Sequence, residues 1–101
     1  MKIQGLIWHE GVIDKLVRKH NIYQAEVETV FENIPIYLRK EKGKVEGEDL
    51  YNALGQTEVG RYLSVFFIYK RNRRALIVTA REMNTKEKRY YVQRKRHSSS
   101  R

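Results

Sequence analysis

The chain has 101 residues, which allows one domain with one hydrophobic core and leaves no room for a second lobe or a cofactor domain. It contains no cysteine, which excludes disulfides, thiol chemistry and cysteine-based zinc sites. No stretch of the sequence approaches the roughly 18 apolar residues of a membrane-spanning helix. We therefore expect a soluble, cytoplasmic protein.

The formal net charge of +9 is distributed unevenly along the chain. Residues 1–60 carry eight Lys or Arg and ten Asp or Glu, a net charge of −2, whereas residues 61–101 carry thirteen Lys or Arg and two acids, a net charge of +11. A one-sided positive charge of this size attracts polyanions. Binding of nucleic acid or of an acidic protein is the functional interpretation, and a basic surface that only maintains solubility is the alternative.

The first third of the sequence predicts a strand followed by a helical hairpin. Residues 3–8 have the composition of a short strand. Apolar residues then recur at helical spacing over residues 12–20 and again over residues 23–31. Asn21 separates the two helices, and Pro35 prevents the second from continuing.

The rest of the sequence predicts four strands and a final helix. The strands cover residues 36–41, 49–54, 62–69 and 75–80, and the third is nearly all apolar, as is typical of a strand buried on both faces. Short turns between these strands imply an antiparallel meander. Asn84 and Glu87 form a capping-box pattern at the start of the last helix.

These elements define an α+β fold class with the order β-α-α-β-β-β-β-α. The fold has an N-terminal strand and helical hairpin, a four-stranded antiparallel meander and a C-terminal helix. We predict a single domain over residues 1–96 and a disordered polar tail over residues 97–101.

Common catalytic signatures are missing from the sequence. It has no P-loop, dinucleotide-binding turn, zincin motif or calcium loop, and its three histidines lack metal-ligand spacing. We therefore expect neither a metal nor another cofactor. The available Arg, Lys, His, Tyr and Glu suit RNA cleavage by the RNA's own 2′-hydroxyl, because His transfers protons near neutral pH and Arg or Lys stabilises the charged phosphorus centre.

Seven segments of the sequence resemble one known family. In chain order they are Ile7-Trp8, Lys19-His20-Asn21-Ile22, residues 26–31, 47–55, 60–67 and 77–83, and Glu87-Lys88-Arg89-Tyr90-Tyr91. They occur in the order seen in the BrnT family of bacterial toxins, and they span residues 6–91. The most specific part is Gly60-Arg61 before the central strand combined with Ala80-Arg81-Glu82-Met83 before the last helix.

This resemblance implies a RelE-like fold and the toxin component of a type II toxin–antitoxin system. It implies an endoribonuclease that cleaves RNA without metal, inhibits translation and is neutralised by an antitoxin, typically of the ribbon-helix-helix type. DNA would be bound only through the complex with the antitoxin. Two alternatives stay open: a non-catalytic nucleic-acid-binding module, and an inactive member that acts with its antitoxin as a co-repressor.

Four residues are our candidates for catalysis: Lys19, His20, Arg61 and Arg81. Their side chains transfer protons or bind phosphate oxygens. Each also has a structural interpretation. Arg81 could form an ion pair with Glu82 or with an acid of the first helix, Arg61 could be a strand-edge charge, His20 a capping or core residue, and Lys19 a solvated helix end.

Residues of the last helix are our candidates for RNA contact. Its cations would follow the phosphate backbone, and its tyrosines would stack on unpaired bases. The selected residues are Lys86, Arg89, Tyr90, Tyr91 and Arg94. The alternative for the tyrosines is packing in the core or an interface, and the alternative for the cations is contact with an acidic segment of an antitoxin.

Overall fold

A computed structural model of the chain describes residues 1–41, 43 and 47–99. Its elements are strand β1 (Gly5–Ile7), helices α1 (Glu10–His20) and α2 (Gln24–Glu32), strands β2 (Ile36–Glu41), β3 (Leu50–Gln56), β4 (Tyr62–Tyr69) and β5 (Arg74–Glu82), and helix α3 (Thr85–Ser99). The predicted order of three helices and five strands is confirmed.

The five strands form one mixed sheet with the order β1-β5-β4-β3-β2. Strands β2 to β5 pair with their sequence neighbours in antiparallel orientation. Strand β1 adds to the outer edge of β5 in parallel orientation, with Leu6 beside Ala75. The sequence predicted β1 without a pairing partner, because its partner lies about 70 residues further along the chain.

One face of the sheet, here called the helical face, packs against α1 and α2 and encloses the hydrophobic core. The ring of Phe67 in β4 lies 5.4 Å from Phe31 of α2 and 5.8 Å from Tyr51 of β3, measured between centroids. The other buried members of the core are Leu16, Ile22, Val27, Val30, Ala53, Leu63, Val65, Ala75, Ile77 and Ala80. Burial of each larger side chain contributes roughly 1.5–3 kcal/mol, which holds both helices on this face.

Asn21 determines how α1 ends. Its backbone is left-handed, with φ 53° and ψ 41°, a conformation that Asn tolerates better than most residues. The N–H of Ile22 then donates to the carbonyl of Leu16 at 3.0 Å, and the Ile22 side chain enters the core. In this turn the carbonyls of His20 and Asn21 point away from the backbone hydrogen bonds of the helix, so a donor from another element can reach them.

Helix α3 crosses the opposite face, here called the open face, at one end of the sheet. The ring of Tyr91 packs edge-on against Tyr62 of β4 with centroids 5.9 Å apart, and Lys95 donates to the carbonyl of Ile34. The helix continues to Ser99, in contrast to the disordered tail predicted from residue 97, since no Gly or Pro interrupts it. Residues 100 and 101 of that predicted tail lie outside the described residues.

None of the helices in the described ranges is long and apolar enough to cross a membrane.

Gly55 allows α2 to lie close to β3. A Cβ atom at this position would be 2.8 Å from Cγ1 of Val30 and 3.3 Å from Cβ of Pro35. We expect Gly55→Ala to lower the free energy of unfolding by about 2 kcal/mol through overpacking, and Tm by roughly 10 °C. Gly11→Ala is the matched control, because a Cβ there meets nothing within 4 Å. Equal stability of the two variants in thermal unfolding would contradict the close approach.

Candidate active site

Arg81 lies near the end of β5, opposite Ser64 of β4, and its side chain is on the open face. Its guanidinium donates from Nη1 to Oε1 of Glu87 at 2.7 Å and from Nη2 to Oε2 at 2.9 Å. It also stacks over the ring of Phe66, with Cζ 5.3 Å from the centroid. The side chain is nevertheless 38% exposed. Arg81 is thus held in one orientation while its side chain stays partly exposed.

Glu87 links Arg81 to the first turn of α3. The N–H of Asn84 donates to Oε1 of Glu87 at 3.0 Å, and the N–H of Glu87 donates to Oδ1 of Asn84 at 2.8 Å, so the predicted capping box is confirmed. Burial alone would raise the pKa of Glu87, but hydrogen bonds from Arg81, Asn84 and Ser64 outweigh it and lower the pKa below the ordinary value. Glu87 is therefore an ionised partner, and not an acid held in its protonated form.

A buried polar pair lies beneath this ion pair. The side-chain amide of Asn52 in β3 donates to Oγ of Ser64 at 2.8 Å and to the carbonyl of Val65 at 3.2 Å. The Ser64 hydroxyl in turn donates to Glu87 at 3.4 Å. Both Asn52 and Ser64 are fully buried, and Oδ1 of Asn52 has no hydrogen-bond partner among the described residues. A polar chain therefore runs from the interior of the sheet to Arg81.

Arg61 occupies a different environment, on the helical face. Its Nη1 donates to the carbonyl of Asn21 at 2.8 Å and to Glu26 at 3.0 Å, and its Nε donates to Glu82 at 3.0 Å. Its Nη2 donates to the carbonyl of His20 at 3.3 Å. Burial lowers the pKa of Arg61, but the two carboxylates outweigh that effect and raise it. Arg61 therefore caps α1 and joins it to α2 and β5, which is more than a strand-edge charge.

The four candidate catalytic residues fall into two groups on opposite sides of the sheet. Arg61 contacts the carbonyl of His20, so His20 and the neighbouring Lys19 lie on its side. Arg81 faces α3 on the other side, because consecutive residues of a strand alternate and Glu82 is the one that reaches Arg61. The structure brings Arg61 and the end of α1 together, and it does not bring them to the face of Arg81.

The RNA-contact candidates of α3 also differ in their accessibility. Lys86, Arg89 and Arg94 are exposed, and Arg94 donates to the hydroxyl of the half-buried Tyr90 at 2.7 Å. Tyr91 is only 4% exposed. Its ring packs against Tyr62, which agrees with the packing interpretation, and RNA contact by Tyr91 stays a prediction.

Sequence reasoning missed three residues that shape these sites: Asn52, Ser64 and Glu26. The available signal at Asn52 and Ser64 was a polar side chain within an otherwise apolar strand. Such a side chain requires a hydrogen-bond partner when it is buried. The structural alternative for Arg81 was an ion pair with Glu82 or an acid of the first helix, whereas its carboxylate partner is Glu87. Over the described ranges, no three His, Asp or Glu side chains are grouped as metal ligands would be.

The lowered pKa of Glu87 predicts a pH-dependent contribution to stability. Since its folded-state pKa lies below the unfolded value of about 4.5, the carboxylate stabilises the fold fully above that pH, and the contribution is lost as the pH falls through the folded-state pKa. Glu87→Gln should lower the free energy of unfolding by about 1 kcal/mol at pH 7, and the difference from wild type should shrink at pH 3. Urea unfolding at both pH values measures this, with the exposed Glu28→Gln as control. A difference that grows in acid would contradict the assignment.

Comparison with known proteins identifies the family of the chain. A family model described as "Ribonuclease toxin, BrnT, of type II toxin-antitoxin system" matches residues 8–87. The crystal structure of the Brucella abortus ribonuclease toxin BrnT is similar to the chain, with a TM-score of 0.54 at 16% sequence identity, over 80% of this chain and 97% of that one. At this identity the likeness shows the fold alone, and no curated protein matches in sequence. Because the family model spans most of its length, the chain belongs to the BrnT family of ribonuclease toxins of type II toxin–antitoxin systems.

Proposed function

We propose that this toxin is a metal-independent endoribonuclease of RelE-like fold that cleaves RNA in the cytoplasm and inhibits translation. We further propose that a cognate antitoxin of the ribbon-helix-helix type neutralises it. One observation carries the proposal: the guanidinium of Arg81 is oriented by Glu87, is 38% exposed, and lies at the start of a helix rich in Lys and Arg. This arrangement suits the binding of a phosphate oxygen.

Arg81 retains donors for a phosphate. A guanidinium has five N–H donors, and the described contacts of Arg81 use three of them: two to Glu87 and one to the carbonyl of Glu82. The remaining two, at Nε and Nη2, have no hydrogen-bond partner among the described residues, and the side chain is 38% exposed. RNA can therefore bind without breaking the ion pair, and Glu87 serves to orient the guanidinium.

The proposed reaction needs only the RNA, the protein and water. The 2′-hydroxyl loses its proton to water and attacks the adjacent phosphorus, the bond to the 5′-oxygen breaks, and that oxygen takes a proton from water, so the products carry a 2′,3′-cyclic phosphate and a 5′-hydroxyl. Arg81 stabilises the negative charge that builds on the phosphate oxygens in the transition state. Lys86, Arg89 and Arg94 hold the flanking phosphates, and Tyr90 offers a surface for a base.

Lys19 and His20, together with Arg61, form a second candidate centre on the helical face. If RNA were cut at this centre instead of at Arg81, His20 would transfer a proton and Lys19 would contribute charge. We propose Arg61 as a positioning residue, because its described contacts already include two carboxylates and two main-chain carbonyls.

Substitution of Arg81 tests the proposed ribonuclease activity. We expect wild type to cleave synthetic RNA in buffer containing EDTA, and Arg81→Ala to lower kcat by about 100-fold or more. Arg81→Lys should retain intermediate activity, because it keeps the charge and loses the fork. Arg18→Ala is the matched control, since Arg18 is 63% exposed and pairs with Asp14 at the surface of α1. RNA that is bound in a salt-sensitive manner and stays intact would favour the non-catalytic binding module.

Substitution of Arg61 separates a positioning role from a catalytic one. Arg61→Ala leaves Glu26 and two carbonyls without their donor at a position that is 21% exposed, so we expect the free energy of unfolding to fall by about 2–4 kcal/mol. Cleavage measured well below its Tm should fall less than tenfold, and His20→Ala should have a similarly small effect. A loss as large as that of Arg81→Ala would move the catalytic centre to the helical face.

A further inference from the structure

The open face carries a row of aliphatic side chains beyond the part that α3 covers. The strand register places Ile7 of β1, Leu76 of β5, Ile68 of β4 and Leu50 of β3 side by side. Side chains alternate between the two faces of a sheet, and neighbours such as Phe67 belong to the core on the helical face. The four aliphatic side chains therefore project from the open face, where all of them are partly exposed.

The next row extends this surface with Leu38 of β2 and Phe66 of β4, which flank Asn52. Helix α3 contacts the sheet further along, at Arg81, Ser64 and Tyr62. We define the open-face patch as Ile7, Leu38, Leu50, Phe66, Ile68 and Leu76. A contiguous, partly exposed apolar surface of this kind is typical of an interaction site.

Cations border the open-face patch at two places. Arg74 lies two residues before Leu76 on the same face and is exposed, and the adjoining turn contains the exposed Arg71 and Arg73. At the other end, Arg81 stacks over Phe66. The rim is therefore basic at the β5 end, where Arg71, Arg73 and Arg74 lie, while the exposed Glu41 borders the patch beside Leu50 of β3. The basic end matches an acidic partner.

We propose that the open-face patch docks an amphipathic helix of the antitoxin, with apolar residues against the patch and acidic residues against the basic rim. The identity of the partner rests on the proposed function. The patch is a sheet face and not an edge, so an added strand could not pair with it. Neighbouring strands are spaced by about 4.8 Å, close to the helical pitch of about 5.4 Å, so roughly three turns of a helix would span the four-strand row.

The chemistry of the patch disfavours two other occupants. Its aliphatic side chains donate no hydrogen bonds to phosphate and offer no aromatic platform for bases, and the ring of Phe66 is already covered by Arg81. A second copy of the chain would bring two basic rims together, which like-charge repulsion opposes.

The double variant Ile68→Thr/Leu76→Thr tests the apolar contact, because Thr shortens both side chains and is accepted in strands. The probe is the protein encoded beside the toxin gene, with its Kd for the full chain measured by calorimetry. We expect the double variant to raise this Kd about 30-fold or more, and Arg74→Glu to raise it about tenfold at low salt. Val59→Thr is the matched control, since Val59 is 89% exposed and outside the patch, and its Kd should match that of wild type.

Thermal unfolding establishes whether each variant is folded. If the double variant does not fold, the Kd of Arg74→Glu alone decides the test. An unchanged Kd in the folded variants overturns the proposal. A loss of RNA cleavage in the folded double variant also overturns it, because the face would then bind RNA. A wild-type dimer that the double variant converts to a monomer overturns it as well, because the face would then bind a second copy of the chain. Failure of the proposed function gives a different result. If the toxin leaves RNA intact while its binding of the partner depends on the patch, ribonuclease activity is contradicted and the docking surface is supported.

Discussion

The ion pair between Arg81 and Glu87 is the contact on which the candidate site depends. It joins the last strand to the first turn of α3, so it determines where the Lys- and Arg-rich helix lies on the sheet. Its carboxylate also receives the hydroxyl of Ser64, which couples the pair to buried Asn52. Two charges can share a partly buried site because each satisfies the other's hydrogen bonds. The same geometry leaves part of the guanidinium open to a phosphate.

The two faces of the sheet differ in what they carry. The helical face carries the hydrophobic core, and Arg61 ties the end of α1 to α2 and β5 there. The open face carries Arg81 and α3 at one end and the open-face patch at the other. An antitoxin helix on the patch would lie beside the proposed RNA-binding surface, so we propose that docking and inhibition involve one continuous face.

Local features of the fold were predictable from the sequence, whereas pairings across the chain were not. The end of α1 at Asn21 and the capping box of α3 depend on residues within one or two turns. The parallel pairing of β1 with β5 depends on residues far apart in sequence. For the site, Arg61 and Arg81 were identifiable as unusual charges. Their opposite faces follow from the sheet register, which the sequence alone does not specify.

The most direct measurement is a crystal structure of the toxin with an RNA that carries a 2′-deoxy substitution at the cleavage site and so cannot be cut. We expect a phosphate oxygen within hydrogen-bonding distance, about 3 Å, of Nε or Nη2 of Arg81, with the pair to Glu87 intact. A scissile phosphate bound instead beside Lys19, His20 and Arg61 on the helical face would contradict the proposed role of Arg81.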